Sequence, residues 1–511
     1  MVRFRFRPRV VSKPEEVGWE TARRKHRRSE AVNRRDGTSQ ATMESEVTRG
    51  GGWKARVGSM FPGPSLLFCV YQFLINFKPS EPHVAPYLVS VKGFTNQQVN
   101  HDIFPYLTYT YFLATALSTP AVQLLGYKRV ILLGTFCRLF TRLLLLYGST
   151  LWEMQLMQVV YGIANATDLN VVFGAYMFCL IEQKYFQRVV SIAHAAKFLS
   201  ELISSEGGQI LLHLGMSLTL LMYISLIAVS MGTALAFFLP NAESSPSEEI
   251  SSNKVEIARS PVSMVQWGHA KWNSIRQLYQ NFPLLKLSIV WVFASNVYYF
   301  IDNYGTILFQ ARGPDTDMNG HVGAVMCLVA SLTSLLATYL EVPALKLGFV
   351  FYAIMQAIFT LNVLVTVMFP VLWSSWSCFV IGMSGWNLVL CILYAQCGHC
   401  VQNHMYNFLF GINTTCALAF TSLFQLVVQL IGNPVEFGFR ALAMYSGLMT
   451  LICIYMALSH FSEYGSFTFE RTHANVNYPA MQALIASEDV EDDIQNEVEI
   501  MSLQHHPYDP Q

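Results

Sequence analysis

The sequence predicts an all-α membrane protein of about twelve transmembrane helices, arranged as two six-helix halves in the major facilitator manner. Three observations predict it. Hydrophobic residues make up 53% of the 511 and charged residues only 13%, about half the charged share of a soluble globular domain. After residue 62 the apolar runs approach the ~20 residues needed to cross ~30 Å of hydrocarbon. One long polar segment, 240–283, divides those runs six and six. None shows the alternation of barrel strands, and lipid offers no partner to unpaired backbone groups, so the spans must be helical.

Residues 1–62 come first, with Arg3, Arg5, Arg7 and Arg9 followed by Arg23, Arg24, Lys25, Arg27 and Arg28. No apolar run follows at a signal peptide's distance, so cleaved secretion is not expected. Glu15, Glu16, Glu20 and Glu30 spoil the acid-poor pattern of an organelle presequence. The segment reads as a disordered cytosolic tail, with Met43 and Met60 as alternative starts. The spans are placed at 64–91, 102–126, 128–149, 152–181, 186–213 and 216–239, then 284–309, 320–341, 344–369, 371–397, 405–431 and 437–461. The tail, Lys128-Arg129, Lys184 with Arg188, and the linker 240–283 share one side, while the turns at 149–151, 214–216 and 369–371 carry no Lys or Arg. Both termini and the linker therefore face the cytosol. That gives an N-terminal half at 64–239, a C-terminal half at 284–461 and an acidic cytosolic tail at 462–511.

Net charge is zero, and no nucleic-acid partner is expected. Cys69, Cys137, Cys179, Cys327, Cys378, Cys416 and Cys453 lie in apolar stretches, where they read as small packing residues. The sequons at Asn165 and Asn413 fall within spans, out of reach of glycosylation. No nucleotide-binding loop occurs in a polar segment, so transport is expected to be secondary. The chain reads as a mover of small solutes, not an enzyme. Cys397-Gly398-His399-Cys400 with His404 has zinc-ligand types, but it stands at a helix end without a second cluster. Neither metal nor cofactor is expected.

Ionisable side chains inside spans mark a solute path or a pairing network. The first span breaks at Lys78-Pro79-Ser80-Glu81-Pro82 and resumes at Pro86; the prolines free backbone groups beside Glu81. A loop that ends the span early remains the alternative. Asp168 lies mid-span after Tyr161-Gly162-Ile163-Ala164-Asn165-Ala166-Thr167, among small residues that permit close helix approach. It either pairs with a cation on a neighbouring helix or binds a cationic ligand. Arg138 and Arg142 share one face of the third span and are its candidate partners. In the fifth span His194, Lys197 and Glu201 recur on one face, with Glu206 beyond; His194 is either a proton carrier or a hydrogen-bonded core histidine. Asp302-Asn303-Tyr304 lies in the seventh span near Tyr298 and Tyr299, rings suited to packing or to stacking on a flat heterocycle.

Lys78-Pro79-Ser80-Glu81-Pro82, Pro86-Tyr87-Leu88, Ile103-Phe104-Pro105 and Thr108-Tyr109 resemble the first two spans of solute carrier family 19, the reduced folate and thiamine carriers. The resemblance continues in order through Met154-Gln155, Tyr185-Phe186-Gln187-Arg188-Val189, Asn303-Tyr304, Ile307-Leu308, Asn319-Gly320 and Phe410-Gly411-Ile412-Asn413-Thr414, covering about residues 64 to 461. It implies a plasma-membrane vitamin carrier working by alternating access. Asp168, counted forward from Tyr161, falls where folate carriers hold an arginine and thiamine carriers a glutamate. Counted back from Tyr176 the register is two off, as if Leu169-Asn170 were inserted. Met383 and Thr421 stand where folate carriers are basic. Glu81 corresponds to a carboxylate that both subfamilies keep, and Asn303 to a polar residue near the thiamine carriers' substrate. Leu107, Arg142, Gly323 and Gln123 depart from the thiamine pattern.

The resemblance thus implies thiamine as the expected substrate, with reduced folate or another organic anion as the alternative. A non-transporting receptor or scaffold is the second alternative. Glu81, Asp168, Asn303, Tyr304, Thr141 and Arg142 are the expected substrate contacts. Arg138, His194, Lys197, Glu201 and Asp302 form the expected proton or ion-pair network. Protons or organic anions are the implied coupling species, and the lipid bilayer is the surrounding partner. On this reading Asp168→Ala abolishes uptake and spares surface expression; equal loss of both marks a structural ion pair.

Overall fold

Two breaks, one of them at prolines, and a set of long apolar runs decide how the chain divides into helices. The computed structural model describes residues 64–242, 275–313, 319–401 and 405–465, apart from 96–97, 169–170, 277 and 431–434. The expected basic tail, most of the linker, nearly all of the acidic tail, Leu169-Asn170 and His404 lie outside the described residues.

The first span is split. Helix α1 (Ser65–Asn76) stops before Pro79, a 3-10 turn occupies Glu81–His83, and α2 (Val84–Ser90) resumes the path. After a π-helical segment at Gln98–Ile103, α3 (Pro105–Leu125) begins with proline at its first turn, where the missing N–H costs nothing. Gly126 alone joins α3 to α4 (Tyr127–Tyr147), at φ +82°; an L side chain there would be strained. The fourth span is also split, into α5 (Leu151–Asn165) and α6 (Val172–Leu180). Thr150 and Glu153 form a reciprocal capping box at the start of α5, which satisfies end N–H groups. Helices α7 (Phe186–His213) and α8 (Leu218–Ala236) complete the first half. The second half holds α9 (Phe282–Arg312), α10 (Asn319–Leu347), α11 (Phe349–Met368), α12 (Leu372–His399), α13 (Tyr406–Leu430) and α14 (Val435–Tyr464).

Eight described helices are long and apolar enough to cross a membrane, namely α4, α8 and all six of the second half. The other four span positions belong to α1/α2, α3, α5/α6 and α7. Two of these are broken, α3 is dense in Tyr and Thr, and α7 carries His194, Lys197, Glu201 and Glu206. The polar load of the bundle is thus concentrated in the first half. A polar load of that kind inside hydrocarbon is costly and persists where it serves a path or a pairing network.

Within the first half, α4 packs on α5 and α8, and α1 on α7 and α8; within the second, α12 packs on α9, α10 and α11. The halves meet where α7 packs on α10 and α12, and where α3 and α6 pack on α13. One apolar core runs across both halves at the end nearer the linker; it includes Phe178, Phe186, Trp291, Tyr394, Tyr406 and Phe410. At the far end each half keeps a core of its own, around Tyr87, Leu145 and Met157 in the first and around Phe300, Phe309 and Phe439 in the second. Apolar packing between the halves is thus concentrated at the linker end, while toward the far end α7 and α10 still meet through Glu206 and His321 at 3.1 Å.

Candidate functional site

The break in the first span turns Glu81 toward α4. Its carboxylate accepts from Arg142 Nη2 at 2.5 Å and from the Tyr161 hydroxyl at 2.6 Å. Arg142 Nη1 donates to Ser80 Oγ at 3.3 Å. Lys78 Nζ donates to the Tyr161 hydroxyl at 3.2 Å and stands 3.9 Å from Glu81. Arg142 is nearly buried while the Glu81 side chain is 39% exposed, so this pair borders the gap between the halves. A planar guanidinium held by a carboxylate, a hydroxyl and a ring face is fixed in orientation. Thr141, its neighbour in sequence, is buried and spends its hydroxyl on the Cys137 carbonyl at 2.8 Å.

The break in the fourth span places Asp168. Past Asn165 the chain tightens into turns, with Thr167 N–H bonding Ala164 O and Asp168 N–H bonding Asn165 O. Thr167 also donates its hydroxyl to Ala164 O, a local bond that competes with continued helix. Gly134 of α4 admits this turn, because a Cβ there would collide with the Thr167 side chain. Four residues along the same face, Arg138 Nη2 stands 3.3 Å from Asp168 Oδ1. Lys197 Nζ of α7 approaches the other oxygen at 3.7 Å. The two arginines thus have separate anions, Arg138 with Asp168 and Arg142 with Glu81.

Glu201 and Asp302 are different. Glu201 lies one helical turn beyond Lys197, and its carboxylate accepts from the Cys327 thiol at 4.0 Å. Asp302, on α9 of the opposite half, is solvent-exposed and lies in the electrostatic field of Lys197 and Glu201. Neither carboxylate forms an ion pair among the described residues. Asn303 beside Asp302 is exposed as well. Tyr304 turns the other way and stacks on Phe300 at 4.6 Å, within the core of the second half. The Tyr111 and Tyr299 hydroxyls reach each other across the halves, and Tyr298 packs edge-on to Tyr299 at 5.2 Å. His194 is buried, and its Nδ1 bonds Asn387 Oδ1 at 3.0 Å; Asn387 Nδ2 donates in turn to Ala330 O and Ser334 Oγ. His194 is thus a fastening between halves, one turn from Lys197.

The structure brings Glu81, Arg142, Arg138, Asp168, Lys197, Glu201 and Asp302 to one gap, and leaves Thr141, Tyr304 and His194 in packing around it. Sequence reasoning missed Tyr161, Asn387 and the Tyr111–Tyr299 contact. Tyr161 carried a signal, standing immediately before the small-residue run to Asp168. Asn387 sits in a largely apolar stretch of α12 and gave only the weak signal of a lone polar group, and Tyr111 is one of several Tyr and Thr in α3, with nothing in the sequence to single it out. At the linker end, His399 directs Nε2 to Glu341 at 3.5 Å and stacks on Phe186 at 5.4 Å.

Twelve spans in two halves, with two broken spans and a charged gap between them, define a carrier of the major facilitator type. The fold is similar to that of the proton:xylose symporter XylE (TM-score 0.56, 12% identity, 76% of this chain and 94% of that one). It is also similar to the Escherichia coli fucose:proton symporter FucP (TM-score 0.53, 13% identity, 77% and 98%). The family model described as reduced folate carrier matches residues 59–263 and 242–437, and the chain belongs to the reduced folate carrier family. Among its relatives, folate transporter 1 of Caenorhabditis elegans is 26% identical over 381 residues, 71% of this chain and 84% of the relative. Human thiamine transporter 1 is 26% identical over 439 residues (76% and 88%), and the human reduced folate transporter 27% over 418 (75% and 70%). The chain is a multi-pass membrane carrier of this family and not an enzyme.

Proposed function

We propose that this chain carries thiamine, or a vitamin cation of that kind, across the plasma membrane by alternating access. The observation that carries the reading is the division of charge in the gap. Both arginines are committed to carboxylates of their own, while Glu201 and Asp302 face the gap without an ion pair among the described residues. A dianionic folate would need those arginines released, whereas an organic cation finds negative charge already in place. In a low-dielectric gap that difference weighs heavily. Glu201 and Asp302 attract the thiazolium charge, Asn303 hydrogen-bonds the aminopyrimidine, and Tyr298, Tyr299 and Tyr111 offer ring faces to it. The pairs Arg142–Glu81 and Arg138–Asp168 border the same gap and fix its walls. Both relatives' names, folate and thiamine, fit a vitamin substrate. The arginine-rich 1–62, the linker 240–283 and the acidic 462–511 lie in the cytosol on this reading, around halves at 64–239 and 284–461.

The test is uptake of labelled thiamine and labelled reduced folate, side by side, in cells expressing the chain at about pH 5.5 to 8. Saturable thiamine uptake that folate does not compete supports the proposal. Folate uptake without thiamine means that the arginine pairs open for an anion. Binding without accumulation in either case would make the chain a receptor. The pH series reports whether a proton accompanies the cycle.

A further inference from the structure

The groups of the gap differ in how firmly each charge is held. Arg142 meets Glu81 at hydrogen-bond distance and also meets Ser80. Arg138 stands 3.3 Å from Asp168. Lys78 stands 3.9 Å from Glu81 and is tied to the Tyr161 hydroxyl. Lys197, by contrast, approaches several carboxylates with no hydrogen bond to any of them: Asp168 Oδ2 is 3.7 Å away, Glu201 is one turn along its own helix, and Asp302 lies opposite within its field. Its side chain is 18% exposed, so it borders the gap. A lysine ammonium is a compact point charge on a flexible stem, free to change partner in a way that a forked guanidinium is not.

Its position in the fold matters equally. Helix α7 forms the seam between halves, held to α10 by Ser331 Oγ on Ala195 O at 3.2 Å and to α12 by His194 on Asn387. Lys197 sits between those fastenings and Glu201. Its neighbour Asp168 belongs to the first half and Asp302 to the second, so relative motion of the halves changes which anion it serves.

We propose that Lys197 is an internal stand-in for the substrate's positive charge: in the empty carrier its ammonium, beside Asp168, is shared with Glu201 and Asp302, and an arriving organic cation takes over Glu201 and Asp302 and leaves it to Asp168. This deepens the cation reading above and rests on it. The consequence concerns the return of the empty carrier. Two uncompensated carboxylates are costly to enclose when the gap closes. The loaded carrier closes over them because the substrate supplies the charge, and the empty one closes because Lys197 does. Lys197 therefore sets the ratio of net uptake to exchange and contributes less to substrate contact itself.

The test uses purified full-length protein in liposomes, wild type beside Lys197→Met and Lys197→Arg. Labelled thiamine uptake is measured into empty vesicles, which requires empty return, and into vesicles preloaded with unlabelled thiamine, which does not. Lys197→Met is expected to lower net uptake about tenfold or more, with exchange falling much less. Lys197→Arg, which keeps the charge, is expected to restore part of the net uptake. Surviving exchange also shows that the variant folds. Equal loss of both modes in Lys197→Met, or loss of neither, overturns the proposal. A wild type that carries no thiamine in either mode overturns the cation reading instead, so the two failures are told apart.

Discussion

A carboxylate with a dedicated arginine and one without answer differently to the loss of their charge. Removing Asp168 strands Arg138 and Lys197 in a largely enclosed place, and breaking a buried pair from one side costs about 3–5 kcal/mol. Asp168→Ala is therefore expected to lose surface expression and uptake together, the outcome that marks a structural pair. Asp302→Asn removes a charge that no described cation holds in an ion pair. It is expected to keep surface expression and to raise the thiamine concentration needed for half-maximal uptake about tenfold or more, the effect of one desolvated charge contact. Surface biotinylation read beside uptake decides between these patterns. Unchanged thiamine affinity in Asp302→Asn would remove that carboxylate from the substrate's path. Most of the gap-lining charges were visible in the sequence because hydrocarbon makes any ionisable residue conspicuous. Their pairing was not, since Arg138 and Arg142 share one face of α4 and only the two breaks decide which anion each one meets.

Breaks in helices are the element-scale device, and the two here differ in how far the sequence announces them. Pro79 and Pro82 declare the first directly, because proline cannot extend the i to i−4 ladder. The second has no proline. It depends on the turn through Thr167 and on a glycine from another helix, Gly134, whose missing Cβ leaves the room that Thr167 fills. A long-range steric match of this kind has no periodicity to detect, so the sequence read the fourth span as one piece over 152–181. Gly134→Val is expected to push Thr167 outward, pull Asp168 from Arg138 and destabilise the protein by about 1–3 kcal/mol, as overpacking does. Thermal melting in detergent measures this, with Gly207→Val as the comparison, because an added Cβ at Gly207 meets nothing within 4 Å. If both variants melted alike, helix propensity would be the cause and the match between Gly134 and Thr167 would carry no weight.

At the scale of the whole molecule, the apolar core shared by both halves lies at the linker end, and on the alternating-access proposal it is the closed side of the carrier. Phe178 stacks on Phe186 at 4.0 Å and meets Tyr406 and Phe410 of the other half at 5.6 and 5.5 Å. Beside them Thr119 donates to the Asn407 carbonyl at 3.3 Å, and Asn407 donates back to the Thr119 carbonyl at 3.4 Å. Gly411 lies against Thr119 with no room for a Cβ. Alternating access requires this seam to part while the far end closes, so its contacts bias an equilibrium and do not lock it. Gly411→Val drives a wedge between α3 and α13, and a bias of only about 1.4 kcal/mol moves the population tenfold. The expected outcome is a carrier shifted toward the state open at the linker end. In a cysteine-free background, Asn303→Cys reports the far end and Asn407→Cys the linker end. An impermeant thiol reagent outside the cell is expected to label Asn303→Cys readily in the parent and slowly once Gly411→Val is added, with the reverse at Asn407→Cys in inside-out vesicles. Labelling of Asn303→Cys only from the cytosolic side would invert the assigned orientation. Unchanged labelling at both positions would mean that the seam through Gly411 has no part in gating.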